Sequence, residues 1–411
     1  MLRRPSARQL APLSVAGFRF LFLSTLGSSI GTLLAAIALA IDVKDRTNSG
    51  LWVGAVLVVE FLPTIVVGLT LGPLLDRLDR RSLMVGADLL RAAVFCALPF
   101  TSSVAGIVGL ALVAGLATGF FRPAVYAGVP NLVPEDQLPE ANALLQTVEN
   151  VSWAIGPVLG GILTAAAGPH AAYWINAVSF GISALLVARI PKRLLQSETA
   201  LTRGHWRDLK DGFSAVLHSR PLLAVLICWG IASLGIGAIS LSEVFLAKNT
   251  LHAGDFGYGL LFGGIGTGLV IGSWSSSYIV ERFGTSRAYT GALVVMAVGF
   301  GAGATARNIW VAAACCLVGG TGDGVAIVCN ALLVQRGAVD RLRGRALTLV
   351  MSVTYALNGI GTVIAGALLH MTGSRWVWAG GAVSFALGAV AAFGLTREER
   401  ALPSRPAPAS N

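Results

Sequence analysis

Charge is scarce in this chain of 411 residues: 12% of its residues are Asp, Glu, Lys or Arg, where a soluble domain carries about 25%. A soluble core could absorb much apolar material, but not runs of 20 or more apolar residues repeated along the whole length. Strong alternation of apolar and polar residues is also missing, which argues against a β-barrel. Histidine is scarce, and His170, His205, His218, His252 and His370 all map to loops or to the ends of apolar runs. The five cysteines, Cys96, Cys228, Cys315, Cys316 and Cys329, lie inside apolar runs without metal-ligand spacing and read as small packing residues. There is no Gly-x-x-x-x-Gly-Lys-Ser/Thr loop for nucleotide phosphates and no nucleophile–base cluster. An enzyme is not expected, nor a metal or other cofactor.

What the chain has is hydrophobicity: 55% of residues are apolar and the mean hydropathy is +0.74. Apolar segments fall at 17–42, 51–75, 82–101, 104–130, 141–167, 170–189, 221–248, 255–281, 286–305, 308–335, 345–370 and 375–396. Each is close to the ~20 residues that carry a helix across a ~30 Å hydrocarbon core. Fifty glycines suit helices that must approach closely in lipid. Arg3 and Arg4 precede the first segment, which is too long for the ~7–15-residue apolar region of a signal peptide and reads as the first of twelve helices.

The net charge of +10 reflects topology rather than a nucleic-acid surface. Arg3, Arg4, Arg8, Arg77, Arg80, Arg81, the basic stretch around Lys192 to Arg220, and Arg397, Arg400 and Arg405 fall on one set of loops. Lys44, Arg46, Lys248, Arg307 and Arg375 fall on the other. The positive-inside rule then puts both termini in the cytoplasm. The reading divides the chain into an arm at 1–16, a six-helix bundle at 17–189, a cytoplasmic linker at 190–220, a second bundle at 221–396 and a disordered tail at 397–411. A shift of 205 carries Gly54 to Gly259, Gly161 to Gly366, Gly168 to Gly373 and Asp76-Arg77 to Glu281-Arg282, as a parallel repeat would.

Three groups of residues carry mechanism. The loop from Gly72 through Asp76, Arg77, Asp79, Arg80 and Arg81 places an acid at the end of the second helix and arginines at the start of the third. A carboxylate such as Asp76 is stabilised wherever a helix N-terminus lies beside it, and the arginines can pair with acids such as Asp88. One reading is a latch on the cytoplasmic side, to which Asp88 and Arg91, taken as near the surface, would belong. The other is a topological charge cluster. Asp79 tolerates left-handed turn geometry and adds a negative charge. On the fifth helix, Ser152, Gly156, Pro157, Gly160 and Gly161 combine a missing helix hydrogen bond with close-approach positions. Ionisable residues inside the membrane are costly and functional by default. Glu60 and Asp323 near mid-helix are the proton-site candidates. Arg122 and Glu149, about two turns inside the fourth and fifth helices, can form an ion pair, static or functional. Glu243, near the outer end of the seventh helix, is expected to be solvated.

The Gly72–Arg81 loop resembles the Gly-x-x-x-Asp-Arg-x-Gly-Arg-Arg loop of the major facilitator superfamily, with Asp79 in place of its second glycine. The Ser152–Gly161 run resembles that superfamily's antiporter signature, with Ser152 for its first glycine. Together with the Asp88–Arg91 run, Asn131-Leu132-Val133-Pro134 and Ala141-Asn142-Ala143-Leu144, these motifs resemble the bacterial drug:proton antiporter branch, which includes macrolide and tetracycline pumps and the enterobactin exporter. The resemblance implies an all-α membrane protein of twelve transmembrane helices in two pseudo-symmetric six-helix bundles. It implies a monomer in the bacterial inner membrane whose partners are a small-molecule substrate, protons and the lipid bilayer. Export of a drug or siderophore by proton antiport is the expected activity. A lipid or nutrient permease and a transport-inactive sensor are the alternatives.

Overall fold

The computed structural model describes residues 10–70, 78–195, 219–337 and 343–395. Gly72, Asp76 and Arg77, the greater part of the arm and linker, and the tail from residue 396 lie outside the described residues. Twelve helices are described: α1 (Ala16–Thr47), α2 (Gly50–Thr70), α3 (Arg80–Ala97), α4 (Val104–Leu132), α5 (Leu138–Ala167), α6 (Pro169–Ala188), α7 (Arg220–Phe245), α8 (Gly254–Phe283), α9 (Thr285–Thr305), α10 (Ile309–Gly337), α11 (Arg343–Thr372) and α12 (Ser374–Leu395). All but α2 are long and apolar enough to cross a membrane, and α2 is apolar over its Gly50–Val59 stretch. Helices apolar on every side have no water-facing stripe, so this is a multi-pass membrane protein. The side on which α1 begins and α12 ends is called the terminal side here, and its opposite the distal side.

Local chemistry sets the turns. Asp79 caps α3 by accepting the Ser82 N–H at 2.6 Å, and Ser103 caps α4 by accepting the Gly106 N–H at 3.0 Å. The α5–α6 and α11–α12 connections each turn on one glycine, Gly168 (φ 79°) and Gly373 (φ 83°), a conformation that glycine adopts without a Cβ penalty. These two glycines are one pair of the 205-residue echo. Asp79 itself is in an extended conformation (φ −64°, ψ 109°). It serves as a helix cap, and the left-handed turn expected of it is not formed.

The two halves pack alike. In the first, α1 packs on α5 and α6, α3 on α4 and α6, and α2 on α4; in the second, α7 packs on α11 and α12, α9 on α10 and α12, and α8 on α10. Adding six to each helix number turns one pattern into the other. The halves meet through α2 with α11 and α5 with α8, pairs that this symmetry exchanges. Helices α3, α6, α9 and α12 lie outside these seams. Exposed side chains such as Val178, Leu185, Val298 and Val390 therefore face lipid.

Candidate functional site

The seam between the bundles is closed at its distal half. Gly161 on α5 meets Gly259 on α8 so closely that a Cβ on Gly161 would stand 2.8 Å from the Gly259 Cα. Gly50 on α2 packs on the Gly366 carbonyl of α11, and Gly54 on Leu241 and Thr362. Trp153 stacks on Phe262 across α5 and α8, with centroids 5.7 Å apart. At the distal rim, Lys248 bridges the bundles by donating to Asp45 at 2.6 Å and to Asp255 at 2.5 Å, and Asn249 donates to Asn48 at 3.1 Å. Among the described residues, every glycine approach, hydrogen bond and ion pair between bundles lies in the distal half of its helices. The buried core agrees: one cluster runs across both bundles, while a second, around Phe18, Met84, Leu145 and Ile190, belongs to the terminal half of the first bundle alone. Among the described residues, the space between the bundles is thus closed on the distal side and bridged by no such contact on the terminal side.

That space ends on a polar constellation. Arg122 on α4 pairs with Glu149 on α5 at 2.5 Å, and Tyr126 donates to the same Glu149 oxygen at 3.0 Å. Tyr355 on α11 faces Arg122 from the other bundle. Arg122 and Glu149 stand ten and eleven residues from the terminal ends of their helices, or ~15 Å at 1.5 Å per residue. They are nearer three turns deep than two, close to mid-membrane. Their side chains keep 48% and 24% exposure there, so the pair is reached from the space between the bundles. Gln146, Glu149, Asn150 and Trp153 recur at helical spacing on α5 and form one face. An arginine, a carboxylate, two phenols and a stacked aromatic pair suit an amphipathic guest, with the charges fixing orientation.

The antiporter-like run makes α5 a seam helix on two sides. A Cβ on Gly156 would lie 2.8 Å from Leu33 Cβ, and one on Gly160 would lie 2.5 Å from the Leu34 carbonyl, both on α1; Gly161 faces α8. Pro157 has no N–H to give to Trp153, four residues back. The freed Trp153 carbonyl abuts Gly266 of α8, where a Cβ would stand 2.6 Å from it.

Other expected site residues are placed differently. Asp88 and Arg91 are fully buried within the first bundle, not near the surface. They pair with each other, Ser183 donates to Asp88 at 2.7 Å, and the Arg91 guanidinium lies between the Phe121 and Phe180 rings at 4.4 and 4.3 Å. Arg80 and Arg81 do not reach Asp88. Arg80 donates to the carbonyls of Ala127 (2.9 Å) and Leu195 (3.0 Å), and Arg81 to that of Ala188. Arg80 and Arg81 of the expected latch thus tie backbone carbonyls of one bundle, those of Ala188 and Leu195 lying at helix ends, where open carbonyls attract cations. Asp79 faces Lys192 at 3.8 Å. Burial pushes its carboxyl up, but hydrogen bonds with Ser82 and the charges of Lys192 and Arg81 outweigh this and hold it below the ordinary carboxylate range. Glu60 falls on α2, and its side chain lies outside the described residues. Asp323 sits within α10 with its Oδ1 buried and without a hydrogen-bond partner among the described residues. Glu243 is the clearest correction: it is 1% exposed rather than solvated. The signal was present, since Leu241, Val244 and Phe245 surround it with apolar sequence.

Comparison with known proteins agrees with this architecture. A family model described as transmembrane secretion effector matches residues 7–406. Macrolide efflux protein A of Streptococcus pyogenes is 28% identical over 211 residues, 49% of this chain and 52% of that protein. The match therefore spans about half the length of that relative. Multidrug efflux pump Tap of Mycobacterium tuberculosis is 26% identical over 375 residues, 87% of each chain. Among solved structures, the nucleoside transporter NupG superposes with a TM-score of 0.74 at 14% identity, covering 93% of this chain and 99% of that one. A bacterial homologue of the iron transporter ferroportin, solved in an inward-facing state, gives 0.73 at 16%, covering 92% and 98%. Identities this low speak for the fold alone. The family match runs over nearly the whole chain, and the chain belongs to the transmembrane secretion effector family of the major facilitator superfamily.

Proposed function

We propose that this protein is a secondary active transporter that exports small amphipathic molecules by proton antiport, alternating between terminal-open and distal-open forms. Basic residues concentrate on the terminal side, so that side is assigned to the cytoplasm and the membrane to the bacterial inner membrane. The observation that carries the reading is the partly exposed Arg122–Glu149–Tyr126 group near mid-membrane, beneath a distal half in which the two bundles are in contact. A guest from the cytoplasm or the inner leaflet meets that group first. Its binding competes for Glu149 and Arg122, and Asp323 and Glu60 supply carboxyls for proton exchange. The similarity to macrolide and multidrug efflux proteins makes a macrolide or a lipophilic cation the first substrate to try. Moving one charge across the membrane potential gains about 2.3 kcal/mol per 100 mV, enough to hold a steep substrate gradient.

The test is accumulation of erythromycin, of ethidium and of a catecholate siderophore in cells with and without the gene, each with and without an uncoupler. Lower accumulation that an uncoupler abolishes is expected. Efflux that survives full uncoupling but stops on ATP depletion overturns the proposal. Lipid movement without a proton gradient would favour the lipid-permease alternative.

A further inference from the structure

Glu243 stands two residues before the end of α7, where the chain passes into the five-residue π turn Leu246–Thr250. Its carboxyl is buried, and neither oxygen has a hydrogen-bond partner among the described residues. The titratable group facing it is the buried Cys316 thiol of α10. Charged groups on helices that pack on α7 are engaged with other partners. Asp255 of α8 is held by Lys248, and Arg375 of α12 donates to the Ala304 carbonyl at 2.7 Å. α1, the counterpart of α7, shows how this fold secures a buried acid. Asp42 accepts from Arg46 at 2.7 and 3.1 Å and from the Tyr173 hydroxyl at 2.9 Å. Nothing comparable secures Glu243. An isolated ionised carboxylate in apolar surroundings costs far more than neutralising it, so the group holds a proton in this terminal-open state.

The polar column continues below it. Cys316, Asp323 and Asn330 recur every seven residues on α10, so they share one face of that helix and stand ~10 Å apart along it. Asp323 Oδ1 and both side-chain polar atoms of Asn330 are buried without hydrogen-bond partners among the described residues, and Tyr289 of α9 faces Asn330. The column runs inside the second bundle, from the distal end of α7 toward the terminal end of α10. It starts beside the distal gate. The Glu243 carbonyl accepts the Leu246 N–H at the entrance to the π turn, and Lys248, which ties the bundles together, lies within that turn. Opening the gate by breaking the Lys248 bridges moves the turn whose first N–H is bonded to the Glu243 carbonyl, and so the end of α7 that holds Glu243.

We infer that Glu243 is a proton-binding site of the transport cycle and that, with Asp323, it forms a proton path inside the second bundle, separate from the substrate space between bundles. In the terminal-open form the Glu243 carboxyl passes its proton to the Asp323 carboxylate, which releases it to water on the terminal side. The Glu243 carboxylate left behind takes one proton from distal water when the gate opens, with no other bond changed. The inference rests on the proton-coupled reading above.

The test uses the full chain in lipid vesicles. Infrared spectroscopy follows protonated-carboxyl bands against pH in the parent, Glu243→Gln and Glu243→Asp. In parallel, proton movement is measured on adding ethidium or erythromycin. A parent band lost in Glu243→Gln and shifted in Glu243→Asp is expected, together with loss of substrate-linked proton movement in Glu243→Gln while substrate still equilibrates downhill. A band unchanged in Glu243→Gln, or parent proton coupling retained by it, overturns this inference alone. A parent that moves either probe without protons overturns the proton-coupled reading, and this role for Glu243 with it.

Discussion

Arg122 and Glu149 illustrate what single residues settle at this site. Each removes a charge that the other would leave stranded at mid-membrane, yet both keep some exposure to the space between bundles. Arg122→Gln alone should therefore cost about 1–3 kcal/mol of stability, between the ~0–1 of an exposed pair and the ~3–5 of a sealed one. The double variant Arg122→Gln/Glu149→Gln should recover most of that loss in a thermal unfolding measurement and still fail to transport. A double variant that transports normally would make the pair a static strut. At the other end of the scale, Asp79→Ala should cost about 0.5–2 kcal/mol through the lost α3 cap. The Asp79 carboxyl lies below the ordinary value of 3.8. Its contribution is complete above that value and disappears as the pH falls through the lowered one. Parent and variant should thus differ throughout pH 5–8 and converge only in strong acid. The Arg122–Glu149 pair was legible in the sequence, because two opposite charges on consecutive apolar helices have few other partners. The Asp88–Arg91 assignment was not, because spacing along one helix does not say that Ser183, Phe121 and Phe180 will enclose the pair.

Among the elements, α5 does the most work, and its motif was legible as a pattern but not as a set of partners. Proline and glycine spacing predicted close approach and a missing hydrogen bond. Which helices would approach depends on the packing of the whole bundle, and the answer is α1 on one side and α8 on the other. Gly161→Ala makes this testable, since its new methyl would fall 2.8 Å from the Gly259 Cα and 2.9 Å from the Asp255 carbonyl. Both are backbone atoms that cannot rotate away, so the closed distal seam should lose about 1–3 kcal/mol, the usual cost of overpacking. Gly181→Ala on α6, whose new methyl would meet nothing within 4 Å, is the matched control. Spin-label distances across α5 and α8 should lengthen in Gly161→Ala and stay unchanged in Gly181→Ala. Unchanged distances in both would mean that the seam tolerates the methyl and that α5 packing does not set the conformational balance.

For the whole molecule, the 205-residue echo announced two equivalent bundles, and the helix pairing bears this out down to the Gly168 and Gly373 turns. The direction in which the molecule opens was not legible, because it depends on contacts between bundles that no local pattern encodes. The distal gate shows why. Lys248 reads in sequence as a lone cation beside an apolar helix, and only the π turn brings it to Asp45 of the other bundle. Lys248 is 13% exposed, against 48% for Asp45 and 21% for Asp255. The network is partly screened and should contribute about 1 kcal/mol to distal closure, which corresponds to about a fivefold change in population. Lys248→Gln removes the cation and leaves two carboxylates facing each other, so the distal-open form should gain by that factor, whereas Lys248→Arg keeps the charge and should behave as the parent. Val58 on α2 reports on the opening, because it packs against Gly359 of α11 in the closed seam. In a chain without its native cysteines, Val58→Cys should react about fivefold faster with a membrane-impermeant thiol reagent from the distal side once Lys248→Gln is added. If the rate does not change, the seam is held by the packing of α2 on α11 and α5 on α8, and Lys248 only decorates a closure that the glycines already maintain.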